Sequence, residues 1–518
     1  MEQRRLLIAL VISLLLIVTY QELVLSRYRK PQAAPQKPVP AETKAPPAQP
    51  PAPQPSGELA APPGEGGLVS VETDLFRVVI TPVGARLTDV ELKGYRRSLT
   101  PDSAPLDLVQ TSSVLPGTLQ LSAAQSDANL AYRADRTELV LHGQDRGEIV
   151  FMGDSPRGLH LEKRYRFTGE SYLFQLTAAL SGEGERPSTV GLVLTPPPPE
   201  TSNSGEQAIA LSGHRLIEKP LRDLLKQPLS VDPSSWAGFA AKYFLGVGMP
   251  ENGTSPVVMT ADGDLPIVQV EAPLVDGQAA FALYTGPKDR DVLARAGHDL
   301  ERALDFGMFW FVAVPLLRAL RLLHAVTGNY GIAIIVLTAL VKVVTAPLTQ
   351  TTFRNMREMQ KIQPQMTKLR ERFKEDQAAL QKEMMELYRR HRVNPFSGCV
   401  PMLLQLPIFV GLYNALSHAI ELRHAPFAFW INDLSAPDRL VIAGVPVPIL
   451  TLLMGGSMFL QQWLTPQQGD PTQQRMMMFM PLMFTYFMMN FPAGLVLYWL
   501  VNNILTIGQQ YLMMRSMK

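Results

Sequence analysis

The chain has 518 residues, 46% of them hydrophobic, with a mean hydropathy of +0.05 and a formal net charge of +2. That average suits neither a wholly soluble protein nor one embedded throughout in lipid, and near-neutrality gives no bulk electrostatic reason to expect DNA or another polyanion as partner. A single cysteine, Cys399, excludes an intramolecular disulfide; without Cys and His clusters no structural zinc is expected, and no cofactor motif is found.

The first element is an apolar run over residues 6–25, LLIALVISLLLIVTYQELVL, long enough to cross about 30 Å of hydrocarbon. Arg4 and Arg5 precede it while Arg27, Arg29 and Lys30 follow, so flanking charge does not orient it. With no small-residue cleavage site after it, residues 1–30 are expected to form an uncleaved signal-anchor helix. Residues 31–67 are rich in Pro, Ala and Gln, bury no core, and are expected to form an extended, semi-rigid linker.

Residues 68–300 change character. Runs such as LVSVETDLFRVVITP, YLFQLTAAL and LPIVQVEAPLV carry β-branched residues in partial alternation, separated by Gly, Pro and Asp clusters. This is the pattern of one all-β sandwich or barrel domain. It contains no nucleotide loop and no acid–base pair, and His142, His160 and His214 read as scattered surface or satisfied histidines.

Residues 301–518 are a cluster of apolar segments at 329–348, 399–420, 442–464, 476–491 and 493–514; with 6–25 they would make six transmembrane helices. The stretch 303–326 places Arg318, Arg321 and His324 three apart, which suits an amphipathic helix lying in the membrane interface. Between the second and third spans, residues 350–398 carry eleven lysines and arginines from Arg354 to Arg392. Short basic loops stay in the cytoplasm, so the second span runs inward, both termini lie inside, and 68–300 lies outside. Apolar residues from Met359 to Phe373 and from Leu380 to Leu387 recur at steps of three and four, the seam of an antiparallel coiled-coil hairpin in which Pro364 should kink the first arm.

Within LTALVKVVTAPL (337–348), Lys342 is a cation in an apolar span. Thr338, Lys342, Thr345 and Thr349 share one helix face. Two readings stay open from spacing alone: Lys342 snorkels to the cytoplasmic surface while the threonines bond their own backbone, or the face lines a hydrated cavity. Trp499, Asn503, Thr506 and Gln510 repeat the spacing on the last span beside Tyr498 and Asn502; Gln461 and Gln462 end the fourth, and Gln405 and Asn414 lie in the third. Interhelical hydrogen bonding would account for the amides, but less well for a cation with no acidic residue in those five spans. The methionine-dense segment RMMMFMPLMFTYFMMNF (475–491) fits either lipid-facing packing or a surface accepting varied apolar partners.

VNPFSGCVPMLLQLPIFVGLYNAL (393–416), APFAFWINDLSAPD (425–438) and FPAGLVLYWLVNNILTIGQQ (491–510), with SSWAGFAAKYF (234–244), strongly resemble the YidC, oxidase-assembly and albino family of membrane-protein insertases. The resemblance implies a multi-domain protein of the inner membrane, with an all-β supersandwich periplasmic domain and a five-helix insertase core around a hydrophilic groove. It implies a non-enzymatic insertase and chaperone that works alone or with the Sec translocon, and whose other partners are nascent membrane proteins, the ribosome and membrane lipids. Lys342 matches the family's positive groove position, and Thr338 and Trp499 match positions that contact substrate; Tyr498, Gln461, Gln462 and Asn503 complete the expected lining. One departure is lysine where bacterial members usually carry arginine: the charge is kept and the planar fork lost. With almost no basic residues after 515, a ribosome contact through a C-terminal tail is not expected. Two rivals are a secondary transporter, which would show inverted repeats, and a membrane-anchored sugar-binding or sugar-modifying domain.

Overall fold

The computed structural model describes residues 67–516 other than 101, 110–113, 123–124, 157, 185, 199–205, 264, 374–375, 392–399 and 465–470. The expected signal anchor and nearly all of the linker lie outside the described residues.

Among the described residues, twenty strands between Val69 and Pro287 form three sheets of nine, six and five strands. The local cause is period-two alternation. In Leu159–Thr168 the side chains of Leu159, Leu161, Lys163, Tyr165 and Phe167 are buried while those between face outward. This strand pairs antiparallel with Leu173–Gly182, setting Leu161 opposite Leu180 and Tyr165 opposite Leu176. Trp236–Ala240 is buried at every position, as a strand covered on both faces must be. It also requires Gly238, because a Cβ there would collide with the Gly246 carbonyl of the paired strand.

The nine-stranded sheet packs one face on the six-stranded sheet, where Gly248 lies against Leu192, Leu194 and Val270. The five-stranded sheet joins the same core through Phe76, whose ring lies 5.9–6.4 Å from those of Phe167, Tyr172 and Phe174. The result is a sandwich with an aromatic core. One ion pair is wholly enclosed in it, Lys163 to Asp127 at 2.6 Å. His142 and His160 are exposed partners of Asp74 and Asp154, and His214 is exposed.

Beyond the sheets the chain is helical. Helix α1 is Arg290–Ala296, capped by the Asp289 carboxylate, which accepts from the Asp291 and Val292 amides at 2.9 Å. Helix α2 is Trp310–Thr327. The expected start at 303 is too early, since Leu300–Ala303 is a separate 3-10 turn and Gly307, at φ +68°, breaks the path between them. Gly328 at φ +65° ends α2, and Asn329 caps α3, Tyr330–Arg372, by accepting from Ile332 N. Helix α3 is continuous for 43 residues across what the sequence divides into a span and a hairpin arm, with Pro347 and Pro364 inside it. Helix α4, Gln377–Arg390, returns after a turn capped by Asp376, and His391 Nε2 meets Gln365 Oε1 at 3.2 Å across the pair.

Helices α5 (Val400–His418), α6 (Ile449–Leu464), α7 (Pro471–Met488) and α8 (Ala493–Ser516) complete the helical region. The segment expected as a span over 442–464 is helical only from Ile449. Residues before it form a hairpin, Leu440–Ile442 against Val445–Val447, turned by Ala443 and Gly444 at φ +50° and +83°. Two positive φ angles make the primed turn that hairpins favour, and an apolar run does not reveal that periodicity. By length and hydropathy two described helices can cross a membrane, Trp310–Thr327 and Tyr330–Pro347, while Ile449–Leu464 and Met478–Met488 are apolar but shorter.

Candidate functional site

Helix α8 packs against both α3 and α6, and its polar residues are shared between them. Toward α3, Lys342 Nζ donates to Asn502 Oδ1 at 3.1 Å and to Thr506 Oγ1 at 2.7 Å. Asn502 and Thr506 are one helical turn apart, so one ammonium reaches both. The Thr506 hydroxyl spends its own proton on the Asn502 carbonyl at 2.6 Å, which leaves its lone pairs for the lysine. Among the described residues no carboxylate forms an ion pair with Lys342; its hydrogen-bond partners are these two neutral oxygens.

Toward α6, Asn503 is buried and donates to Ser457 Oγ at 3.0 Å, and Gln510 Nε2 donates to the Leu464 carbonyl at 3.0 Å. The second bond satisfies one of the orphan carbonyls at the end of α6. Among the described residues, buried oxygens of Thr451, Gln509 and Gln510 have no hydrogen-bond partner; such groups call for water or an incoming polar group. Gln461 and Gln462 lie half-buried on the last turn of α6.

The Trp499 ring sits 4.6 Å from Phe409 of α5, edge-on, and 4.6 Å from Phe484 of α7. Tyr498 beside it is buried. The seven residues expected to line the groove therefore fall on three helices that α8 brings together. Their polar stripes are not continuous, however. Thr338 and Thr345 donate to the carbonyls of Ile334 and Val341 on their own helix, whereas Lys342 reaches across to α8. The spacing argument missed Ser457, Phe409, Phe484 and the specific pairing of Lys342 with Asn502 and Thr506. Ser457 has a visible signal in MGGSM, because Gly455 lets α6 approach Thr485 of α7 closely.

A second polar constellation joins the sheets to the helices. The Arg321 guanidinium on α2 meets Asp289 at 2.6 Å, and Asp291 and Glu421 at 2.5 Å each. Burial pushes the Glu421 carboxyl up, with Arg321 opposing it. Arg423 extends the joint, donating to the Arg96 carbonyl at 2.8 Å with its guanidinium 5.6 Å from the centroid of the Phe244 ring. The face read as Arg318, Arg321 and His324 is thus divided: Arg318 is exposed, Arg321 is clamped, and His324 stacks on Tyr330 at 3.7 Å. No group of described His, Cys, Asp and Glu residues could hold a metal ion.

A β-rich domain followed by a run of apolar helices, two of the described ones long and apolar enough to cross a membrane, points to a multi-domain membrane protein. Family models place it further: one described as the YidC periplasmic domain matches residues 68–319, and one described as 60Kd inner membrane protein matches 322–518. A membrane protein insertase YidC from Syntrophobacter fumaroxidans is 40% identical over 98% of this chain and 99% of its own length, and one from Geobacter sulfurreducens is 39% identical over 86% of each. A solved active YidC insertase with its first transmembrane domain resolved covers 86% of this chain and 92% of its own at 20% identity, with a TM-score of 0.38. The chain belongs to the YidC family of membrane protein insertases, which are inner-membrane proteins and not enzymes.

Proposed function

We propose that a nascent membrane-spanning segment enters from the cytoplasm between α3, α6 and α8, where its polar flank rests on the groove while its apolar stretch moves into lipid. Lys342 attracts acidic residues in that flank. Thr338, Gln461, Gln462 and Asn503 offer hydrogen bonds, and Tyr498 and Trp499 offer aromatic surface. The observation that carries this reading is the Lys342 ammonium, whose hydrogen-bond partners among the described residues are two neutral oxygens on α8. A cation without a carboxylate retains its long-range attraction, and a carboxylate 4 Å away gains on the order of 4 kcal/mol at an effective dielectric of 20.

The driving force is partition. Each CH₂ of the incoming helix transferred to lipid contributes about 0.8 kcal/mol, and the membrane potential adds about 2.3 kcal/mol per charge per 100 mV. In this reading the chain has six spans, counting 6–25, α3, α5, α6, α7 and α8, with α2 lying in the interface. Both termini and the α3–α4 hairpin are cytoplasmic, and residues 68–300 are periplasmic. The hairpin's basic surface suits a ribosome contact, and the Sec translocon and lipids are the membrane partners.

A charge reversal tests it. Purified protein carrying Lys342→Glu, reconstituted in vesicles, should insert an acidic-flanked single span at least about tenfold less well, a difference of about 1.4 kcal/mol, and a neutral-flanked span nearly normally. Lys342→Arg should keep both. Equal insertion of both substrates by Lys342→Glu contradicts the charge-attraction step.

A further inference from the structure

The hairpin before α6 serves none of the contacts described above. Among the described residues its strands, Leu440–Ile442 and Val445–Val447, pair only with each other. Val441, Ile442 and Val445 are 65%, 49% and 59% exposed. No charged residue occurs between Arg439 and Asp470. A lone two-stranded hairpin is marginal in water, and soluble proteins guard exposed strand edges with charge, which this one lacks.

Its base, by contrast, is fixed. The buried Asp438 carboxylate accepts from Trp430 Nε1 at 2.7 Å and from the Leu450 amide at 2.5 Å, holding the first turn of α6. Arg439 donates to the Met489 carbonyl at 2.8 Å and to Asn490 Oδ1 at 3.0 Å just past the end of α7. The Ala493 and Gly494 amides at the start of α8 donate to the carbonyls of Ala436 and Leu434. An apolar, uncharged tip is therefore held on a polar base that ties three helix ends together. One residue, Pro448, separates it from α6, whose Leu452 and Leu453 are also exposed. The apolar surface of the hairpin is thus continuous along the chain with that of the helix.

We propose that this hairpin dips into the outer leaflet and seats Val441, Ile442 and Val445 among acyl chains just below the lipid headgroups. The inference rests on the six-span reading, which puts the start of α6 at the periplasmic face. Two properties set the depth. Three-residue strands at about 3.3 Å per residue reach about 10 Å, the range of an interfacial element. Open backbone edges exclude the hydrocarbon centre, where unpaired amides and carbonyls are not tolerated. Anchored in this way, the hairpin sets the height of the outer ends of α6, α7 and α8, the helices that carry Ser457, Phe484, Trp499 and Asn503.

The test uses full-length protein carrying Cys399→Ser, with an environment-sensitive fluorophore on a new cysteine, in vesicles of phosphatidylcholine and phosphatidylglycerol. Ile442→Cys reports the hairpin, Leu453→Cys the α6 surface, and Glu138→Cys, exposed on the β domain, the aqueous reference. The expected result is blue-shifted emission at 442, mostly lost with lipids brominated near the glycerol end of the acyl chain and insensitive to aqueous iodide. Probe 453 should also be quenched by brominated lipid, and probe 138 by iodide alone. Iodide quenching at 442 with lipid quenching kept at 453 overturns the hairpin proposal and leaves the span reading standing. Loss of lipid quenching at 453 overturns the span reading itself. Protection of 442 from both quenchers means protein covers it, which also overturns the proposal.

Discussion

Replacing Lys163 with methionine should destabilise the β domain by about 3 kcal/mol. The Lys163 and Asp127 side chains are fully enclosed, and the ammonium uses all three donors, on Asp127 at 2.6 Å and on the Gly84 and Gly117 carbonyls at 2.6 and 2.7 Å. The carboxylate is held further by the Leu119 amide at 2.8 Å and the Tyr132 hydroxyl at 2.9 Å. Removing the cation leaves a buried carboxylate without its partner and two carbonyls without donors. Losing one member of a buried pair costs about 3–5 kcal/mol, and the Arg86 charge, which also acts on this cluster, favours the low end. For a domain of this size about 3 kcal/mol corresponds to about 6–12 °C in Tm. Thermal melts of the full chain in detergent, followed through the β-sheet circular dichroism signal, measure it. The double variant Lys163→Met with Asp127→Leu should recover most of the loss, since no charge is left stranded, and insertion by the folded single variant should persist because the groove is elsewhere. A loss below about 1 kcal/mol, or a double variant as unstable as the sum of its singles, refutes the reasoning.

Burial pulls Lys288 from 10.5 to about 8, with Glu218 and Asp305 opposing. The unfolded chain then binds a proton that the folded chain has released, so stability should rise as pH climbs from 8 to 10.5, by up to about 3 kcal/mol at about 1.4 kcal/mol per pH unit. Lys288→Met should flatten that slope in pH-dependent melts; an unchanged slope assigns it to other groups. Arg321→Gln should cost about 1–3 kcal/mol by leaving the largely buried Asp289 and Glu421 carboxylates without their cation and should raise hydrogen exchange in residues 289–297 and 419–423. Arg321→Lys should recover only part, because one ammonium does not reproduce a planar fork; full recovery would reduce the joint to simple charge balance.

What the sequence makes legible follows the range of its signals. Alternation in YLFQLTAAL and LPIVQVEAPLV is local, and Leu173–Gly182 and Leu265–Pro273 are strands with one face buried. Lys342 stands out because a cation in an apolar run costs about 2.5–3.5 kcal/mol and needs a partner, yet its partners lie 160 and 164 residues away and carry no charge that would advertise them. Spacing leaves the role of the threonine stripe open because a helical hydroxyl can bond four residues back, as Thr338 and Thr345 do. Hydropathy likewise fuses residues 442–447 with α6 because both are apolar, although the turn at Ala443 and Gly444 makes the first part a hairpin and Pro448 stands between it and the helix. The Arg321 joint assembles charges from three elements and leaves no spacing to read.

The central claim is that the polar face between α3, α6 and α8 is the path of the inserting chain. Photocrosslinking from positions 338, 342 and 499 to a ribosome-stalled single-span nascent chain tests it, with Val343, Val344 and Ile504, exposed on the outer sides of the same helices, as controls. The account predicts strong adducts from the first three and few from the controls. Equal adducts from both sets, or none from 338, 342 and 499, would contradict it and leave Lys342 an interhelical tie.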